Sequence, residues 1–193
     1  MGVVALNKTG TTKDAMEKIM KELHDKKTIV IDLRFNGGGF DEASLLLAGY
    51  FTSKPYTAYM KQAYYKGNLT PLQSIKVEPC SNKNLQYNGK VVFLTSEYTM
   101  SAAETYLRAM YANPDATDRL TSVGNKTAGF YSDALSKILP GGFEFGMSTE
   151  RYFSPDGSEL EGRGIYPDQY IPLSMKDAYN GIDAAFEWVL SNY

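Results

Sequence analysis

Thr28–Ile29–Val30–Ile31–Asp32–Leu33–Arg34–Phe35–Asn36–Gly37–Gly38–Gly39–Phe40–Asp41 is the stretch that decides the architecture. Its first half is a short β-branched run, the pattern of a strand buried in a parallel layer. The glycine turn follows, and Asp41 then caps a helix whose apolar face is Ala43, Leu46, Leu47, Tyr50 and Phe51, with Pro55 beyond its end. Upstream, Met16, Ile19, Met20 and Leu23 recur at helical spacing between Lys13 and Lys26, with Thr11 or Thr12 as the cap. Downstream, Asn88–Gly89 turns into a second buried strand, Lys90 to Thr95. A helix follows over Ser101 to Ala112, with Ala102, Ala103, Tyr106, Leu107 and Met110 inward, and Leu120 to Gly124 is a third strand. Strands alternating with helices imply a parallel α/β layer.

The rest of the chain hangs on that frame. Residues 54–90 mix Tyr56, Tyr59, Tyr64 and Tyr65 with Lys and Gly without a sustained period, which predicts an extended, partly irregular crossover or insertion. Ala134 to Leu139, the Pro140–Gly141–Gly142 turn and Phe143 to Met147 read as a hairpin. An extended Arg151 to Phe153 and a Pro155–Asp156–Gly157 turn come next. A last helix near Asn180 to Asn192 carries Ile182, Ala185, Phe186, Val189 and Leu190 on one face. The 193 residues, 43% apolar and 13% aromatic, make one domain able to bury its own core.

Composition removes several function classes. Twenty Lys and Arg against 22 Asp and Glu give a net charge of −2 with no run of one sign, which argues against nucleic acid as a partner. The longest apolar runs are a few residues, far short of the ~20 needed to insert across a bilayer. Cys80 is alone, and His24 is the single histidine, so no structural zinc set and no other metal-ligand spacing is present. No cofactor-binding motif is present either: the Gly37–Gly38–Gly39 turn lacks both the following Lys–Ser or Lys–Thr pair and a Gly-x-Gly-x-x-Gly spacing. Met1 leads into Val3–Val4–Ala5–Leu6 with no basic flank or cleavage site, which leaves localisation open.

Two addresses in the frame carry chemistry. Gly37–Gly38–Gly39 lies between the end of a strand and the start of a helix, where α/β sheets offer backbone amides to ligands. It reads either as a tight turn or as an oxyanion hole. Ser101 has the same address one unit later, where the Ala102 amide would face the oxygen of a carbonyl under attack. Ser101-x-x-Glu104 is equally a capping box. His24 reads as a satisfied or solvent-facing helix residue, and Lys126 as a loop lysine that would serve as a base only if desolvated beside Ser101.

Taken together, Ile31 to Gly39, Ser101–Ala102–Ala103–Glu104, Val123–Gly124-x-x-Thr127–Ala128–Gly129, Pro155–Asp156–Gly157 and Glu161–Gly162-x-Gly164–Ile165-x-Pro167–Asp168 resemble the C-terminal processing peptidases, serine peptidases also called tail-specific proteases. The blocks fall in the family's order across residues 28–170. The resemblance implies an α/β fold of the Clp protease and crotonase kind, built from stacked ββα units. It also implies a serine endopeptidase acting by acyl transfer on peptide or protein substrates, without a cofactor. By position Ser101 matches the nucleophile, and the amides of Ala102 with Gly38 or Gly39 match the oxyanion hole. The general-base lysine of the tail-specific branch falls on Phe130, and Lys126 does not align with it. The branch similar to the tricorn core and to interphotoreceptor retinoid-binding protein has Thr–Ala–Gly as here. Its peptidases use a Glu matching Glu161 and a His from an N-terminal subdomain, a position His24 does not match. The resemblance therefore implies that residues 1–193 are a single peptidase core domain lacking an N-terminal subdomain of a longer parent. Such a parent is placed in the periplasm, the cell envelope or outside the cell. The alternative is a non-catalytic module of the same fold that binds apolar ligands or peptides, with the tyrosine-rich 50–65 segment as its groove. The oligomeric state is not legible in the sequence.

Overall fold

The structure, a computed structural model, describes residues 9–193. In chain order its helices are α1 (Thr9–Leu23), α2 (Asp41–Ala48), α3 (Ala102–Tyr111), α4 (Met175–Tyr179) and α5 (Ala184–Asn192). Its strands are β1 (Thr28–Asp32), β2 (Tyr56–Tyr65), β3 (Asn68–Leu69), β4 (Gln73–Val77), β5 (Lys90–Thr95), β6 (Leu120–Gly124), β7 (Ala134–Ile138), β8 (Glu144–Ser148), β9 (Glu150–Phe153) and β10 (Gln169–Tyr170).

The parallel layer is a four-stranded sheet in the order β1-β5-β6-β10. Ile31 pairs with Phe93, and Phe93 with Ser122, so the C-terminal ends of three strands open on one edge. β5 is buried on both faces because successive side chains enter different cores. Val91 and Phe93 join the larger core with Met20, Ile29, Leu107 and Met110. Val92 and Leu94 meet Val123, Ala185 and Val189 beneath α5. Helices on both faces are the cover a parallel sheet requires.

Several sequence expectations shift. α1 begins at Thr9, so Thr11 and Thr12 lie within it rather than capping it, and Ile19 faces solvent while Met16 and Met20 are buried. Asp41 is the first residue of α2, not its cap: the N-cap is Phe40, and the Asp41 carboxylate accepts from Tyr59 Oη at 3.0 Å and Thr105 Oγ1 at 2.8 Å. Residues 54–90 are extended as expected, but more regular, with three strands. β2 is a ten-residue strand with β4 antiparallel along its first half and β9 along its second. Its tyrosines pass from half-buried Tyr56 and buried Tyr59 to exposed Tyr64 and Tyr65, without the alternation that marks a half-buried strand. In the last helix Ala185 and Val189 face inward, whereas Ile182 precedes the helix and Phe186 and Leu190 point outward. No helix among the described residues is long and apolar enough to cross a membrane.

Candidate active site

Ser101 lies where the loop after β5 enters α3, at φ 54° and ψ −127°. Among the described residues only Lys66 is also a non-glycine at positive φ, and it belongs to the exposed Lys66–Gly67 turn between β2 and β3. A side-chain-bearing residue held in such a region stores roughly 1–3 kcal/mol of strain. Two loops hold it there. The Met100 N–H donates to Asn36 O at 3.2 Å, and the Ser101 N–H donates to Phe130 O at 2.6 Å. Deeper in the same loop, Thr99 Oγ1 donates to Leu33 O at 2.7 Å and accepts from the Ser96 N–H at 3.0 Å, while Ser96 Oγ donates to Arg34 O.

The two loops that the sequence singles out do meet. At Gly38, φ 101°, a Cβ would stand 2.5 Å from Ser101 Cβ and 2.9 Å from its Oγ, so only glycine fits against this serine. The Gly38 N–H donates to Asn36 Oδ1 at 3.0 Å and is therefore occupied within the turn. The Gly39 and Ala102 N–H groups have no acceptor among the described residues. The orphan amide of Ala102 belongs to the first turn of α3, where N–H groups and the helix dipole both favour an anion.

The capping-box reading of Ser101 and Glu104 does not hold. Ser101 makes no side-chain cap hydrogen bond. Glu104 is fully buried and is bound by the loop at residues 127–130. Its carboxylate accepts from Thr127 Oγ1 at 2.5 Å, from the Gly129 N–H at 2.9 Å and from the Phe130 N–H at 2.7 Å. Burial pushes this carboxyl above the usual range, against the pull of those donors. Glu104 thus fixes the loop whose Phe130 carbonyl holds the Ser101 amide.

Glu161 grips the same loop from the other side, accepting from the Tyr131 N–H at 3.1 Å and the Ser132 N–H at 2.9 Å through Oε2. Close backbone packing completes the clasp: a Cβ on Gly164 would fall 2.0 Å from Thr127 O, and one on Gly129 would fall 2.7 Å from Gly164 N. Lys126 stands over the Tyr166 ring, 5.0 Å from its centroid, and makes no hydrogen bond to Ser101. His24 ends α1 with Nδ1 on the Met20 and Lys21 carbonyls, likewise without a bond to Ser101. Sequence reasoning missed Asn36, whose side chain and carbonyl join the glycine turn to the serine loop. An Asn two residues before a glycine that needs its amide bound is an Asx-turn signal that pointed to it.

Ser101 thus stands strained at the N-terminus of α3, with the glycine turn against it and the Gly39 and Ala102 amides open among the described residues. The family model for peptidase family S41 matches residues 1–171, and the chain belongs to that family. A probable CtpA-like serine protease of Staphylococcus haemolyticus is 29% identical over 176 residues, which are 89% of this chain and 33% of that protein. The chain spans about a third of the length of the curated relatives it matches. A putative peptidase from Parabacteroides merdae superposes with a TM-score of 0.77 at 22% identity, over 93% of this chain and 56% of that one. Mature CPAF superposes with a TM-score of 0.78 at 16% identity, over 92% of this chain and 45% of that one. The fold expected from the sequence is the fold observed.

Proposed function

We propose that this chain carries the nucleophile and oxyanion hole of a serine peptidase acting on peptide or protein substrates. The observation that carries the reading is Ser101 itself: a strained residue whose hydroxyl makes no hydrogen bond among the described residues, beside the unoccupied Ala102 and Gly39 amides. Ser101 Oγ attacks the scissile carbonyl carbon and its proton passes to a general base. Ala102 N–H and Gly39 N–H then donate to the oxyanion, with Gly38 N–H held back by Asn36 to shape the turn. The C–N bond breaks as the amine takes up the proton, and water cleaves the acyl ester in the second half. Glu161 has Oε1 without a partner among the described residues, and this oxygen is the one that would hold the base, a histidine from outside this segment. Neither His24 nor Lys126 is placed for that role. The resemblance to C-terminal processing peptidases further supports an exported protein of the cell envelope.

The test is fluorophosphonate labelling followed by intact mass and peptide mapping, with Ser101→Ala as control. A single adduct on Ser101, absent from the variant, is expected. Equal labelling of both proteins overturns the assignment of the nucleophile.

A further inference from the structure

Among the described residues no other strand pairs with the hairpin β7–β8, and every residue of both strands is exposed. Its two faces differ. Leu135 pairs with Met147, Lys137 with Phe145, and the Leu139 N–H donates to Phe143 O at 2.8 Å, so these six residues share one face. The opposite face carries Ala134, Ser136, Ile138, Glu144, Gly146 and Ser148, small or polar but for Ile138. One side is therefore a band of leucine, phenylalanine and methionine, with Phe143 74% and Met147 52% exposed. Lys137 is its single charge and makes no ion pair among the described residues.

A sheet face built this way in water is made to be covered. Two five-residue strands present a face of roughly 17 by 10 Å, on the order of 200 Å². A stable protein–protein interface needs about 800 Å² from each partner, so this face does not support a second copy of the chain by itself. One extended peptide segment covers it. The hairpin also grows directly from the site. Its first strand starts four residues after Phe130, whose carbonyl holds Ser101, and its base is pinned by Ser132, which donates its N–H to Glu161 and accepts from the Glu150 N–H.

We propose that the apolar face of β7–β8 holds substrate: an extended, apolar stretch of polypeptide bearing one acidic side chain against Lys137. This rests on the reading of Ser101 as a peptidase nucleophile and names the substrate class that site receives. Leu139, Phe143, Phe145 and Met147 on that face select apolar side chains of the segment.

The test uses the 193-residue chain with Ser101→Ala to prevent turnover. A fluorescein-labelled peptide of Leu, Val and Phe with one central Asp is titrated by anisotropy beside a counterpart with Lys in place of Asp. The double variant Phe143→Ser/Phe145→Ser is expected to weaken binding of the Asp peptide by about tenfold or more. Lys137→Glu is expected to reverse the preference between the two peptides, and both variants keep the parental melting temperature. Binding curves that neither variant changes overturn the proposal. So does a wild-type dimer that dissociates in the double variant without loss of peptide binding, which assigns the face to a second copy. Fluorophosphonate labelling of the Ser101-containing protein separates the two readings: a single adduct on Ser101 keeps the peptidase reading, while binding curves unchanged by the variants overturn the hairpin proposal alone.

Discussion

Residues 127–132 and 134–148 adjoin in the chain and are held in opposite ways. The first segment is gripped by two carboxylates: Glu104 takes Thr127, Gly129 and Phe130, and Glu161 takes Tyr131 and Ser132. The second pairs with no other strand among the described residues and turns an apolar face to water. The first sets the backbone of Ser101, where a displacement of an ångström would cost reactivity. The second touches none of the reacting atoms. Order is concentrated where geometry matters, and exposed apolar surface is left where something else is to bind.

The sharpest way to break that contrast is to remove the grip. Glu104→Ala strands one hydroxyl and two backbone N–H groups in a buried place, and buried donors without acceptors cost about 1–3 kcal/mol each. The expected loss in urea unfolding is roughly 3 kcal/mol or more, together with loss of fluorophosphonate labelling at Ser101. Glu104→Gln keeps an acceptor oxygen and is expected to lose less on both measures. An Ala variant that labels at the parental rate would show that the loop holds itself.

Strain at Ser101 is the other half of the clamp, and it is tested by relief. Ser101→Gly removes the Cβ from a backbone region that glycine adopts freely and forfeits no cap bond, since Ser101 makes none. It is expected to raise unfolding stability by about 1 kcal/mol while abolishing labelling. Ser101→Ala, still strained, leaves stability near the parental value. A Gly variant less stable than the Ala variant would mean that the turn is not strained.

How much of this was legible follows the range of the interactions. β5 was readable because Val91 to Leu94 enter two cores and so form an unbroken apolar run, and β7–β8 because Pro140–Gly141–Gly142 is a local turn. The meeting of Gly38 with Ser101 was expected only through the five spaced blocks, since no local pattern joins residues 63 positions apart. Glu104 is not decided by the local sequence, because a Ser three residues before a Glu at a helix start has the same signature whether Glu turns back to cap or inward to a loop 25 residues later. β2 was hidden by tyrosines that are apolar in body and polar at the tip. Tyr59 and Tyr152 are buried, and Tyr152 reaches Glu150 at 2.9 Å while Tyr59 reaches Asp41.

Acid sharpens the comparison within the clamped region. The pKa of Glu104 in the fold is raised by burial, so its favourable contribution is present below the ordinary glutamate range near ~4 and is lost as pH rises through the folded value. Asp32 behaves oppositely: burial pushes it up, but hydrogen bonds from Arg34 outweigh this and hold it below the usual range. Its contribution is present above about pH 4 and is lost as pH falls through the folded value. Unfolding measured from about pH 3 to 7 is expected to show Glu104→Gln gaining on the parent as pH rises and Asp32→Asn gaining on it as pH falls. Parallel curves for either variant would remove that carboxylate from the balance.

The smallest expected effect belongs to the hairpin. Replacing residues 134–148 with a short Gly-Ser connection between Asp133 and Thr149 removes surface that is exposed in every residue, so almost no buried area is lost. Shortening a surface connection also changes loop-closure entropy by well under 1 kcal/mol. The deleted protein is expected to unfold within about 0.5 kcal/mol of the parent and to label at Ser101 at the same rate, because Glu104 and Glu161 still hold residues 127–132. What should fall is retention of apolar peptides, read by anisotropy. If the excision instead lowers stability by as much as Glu104→Ala, the division between a clamped catalytic loop and a free binding arm is wrong. The hairpin would then be part of what sets the serine.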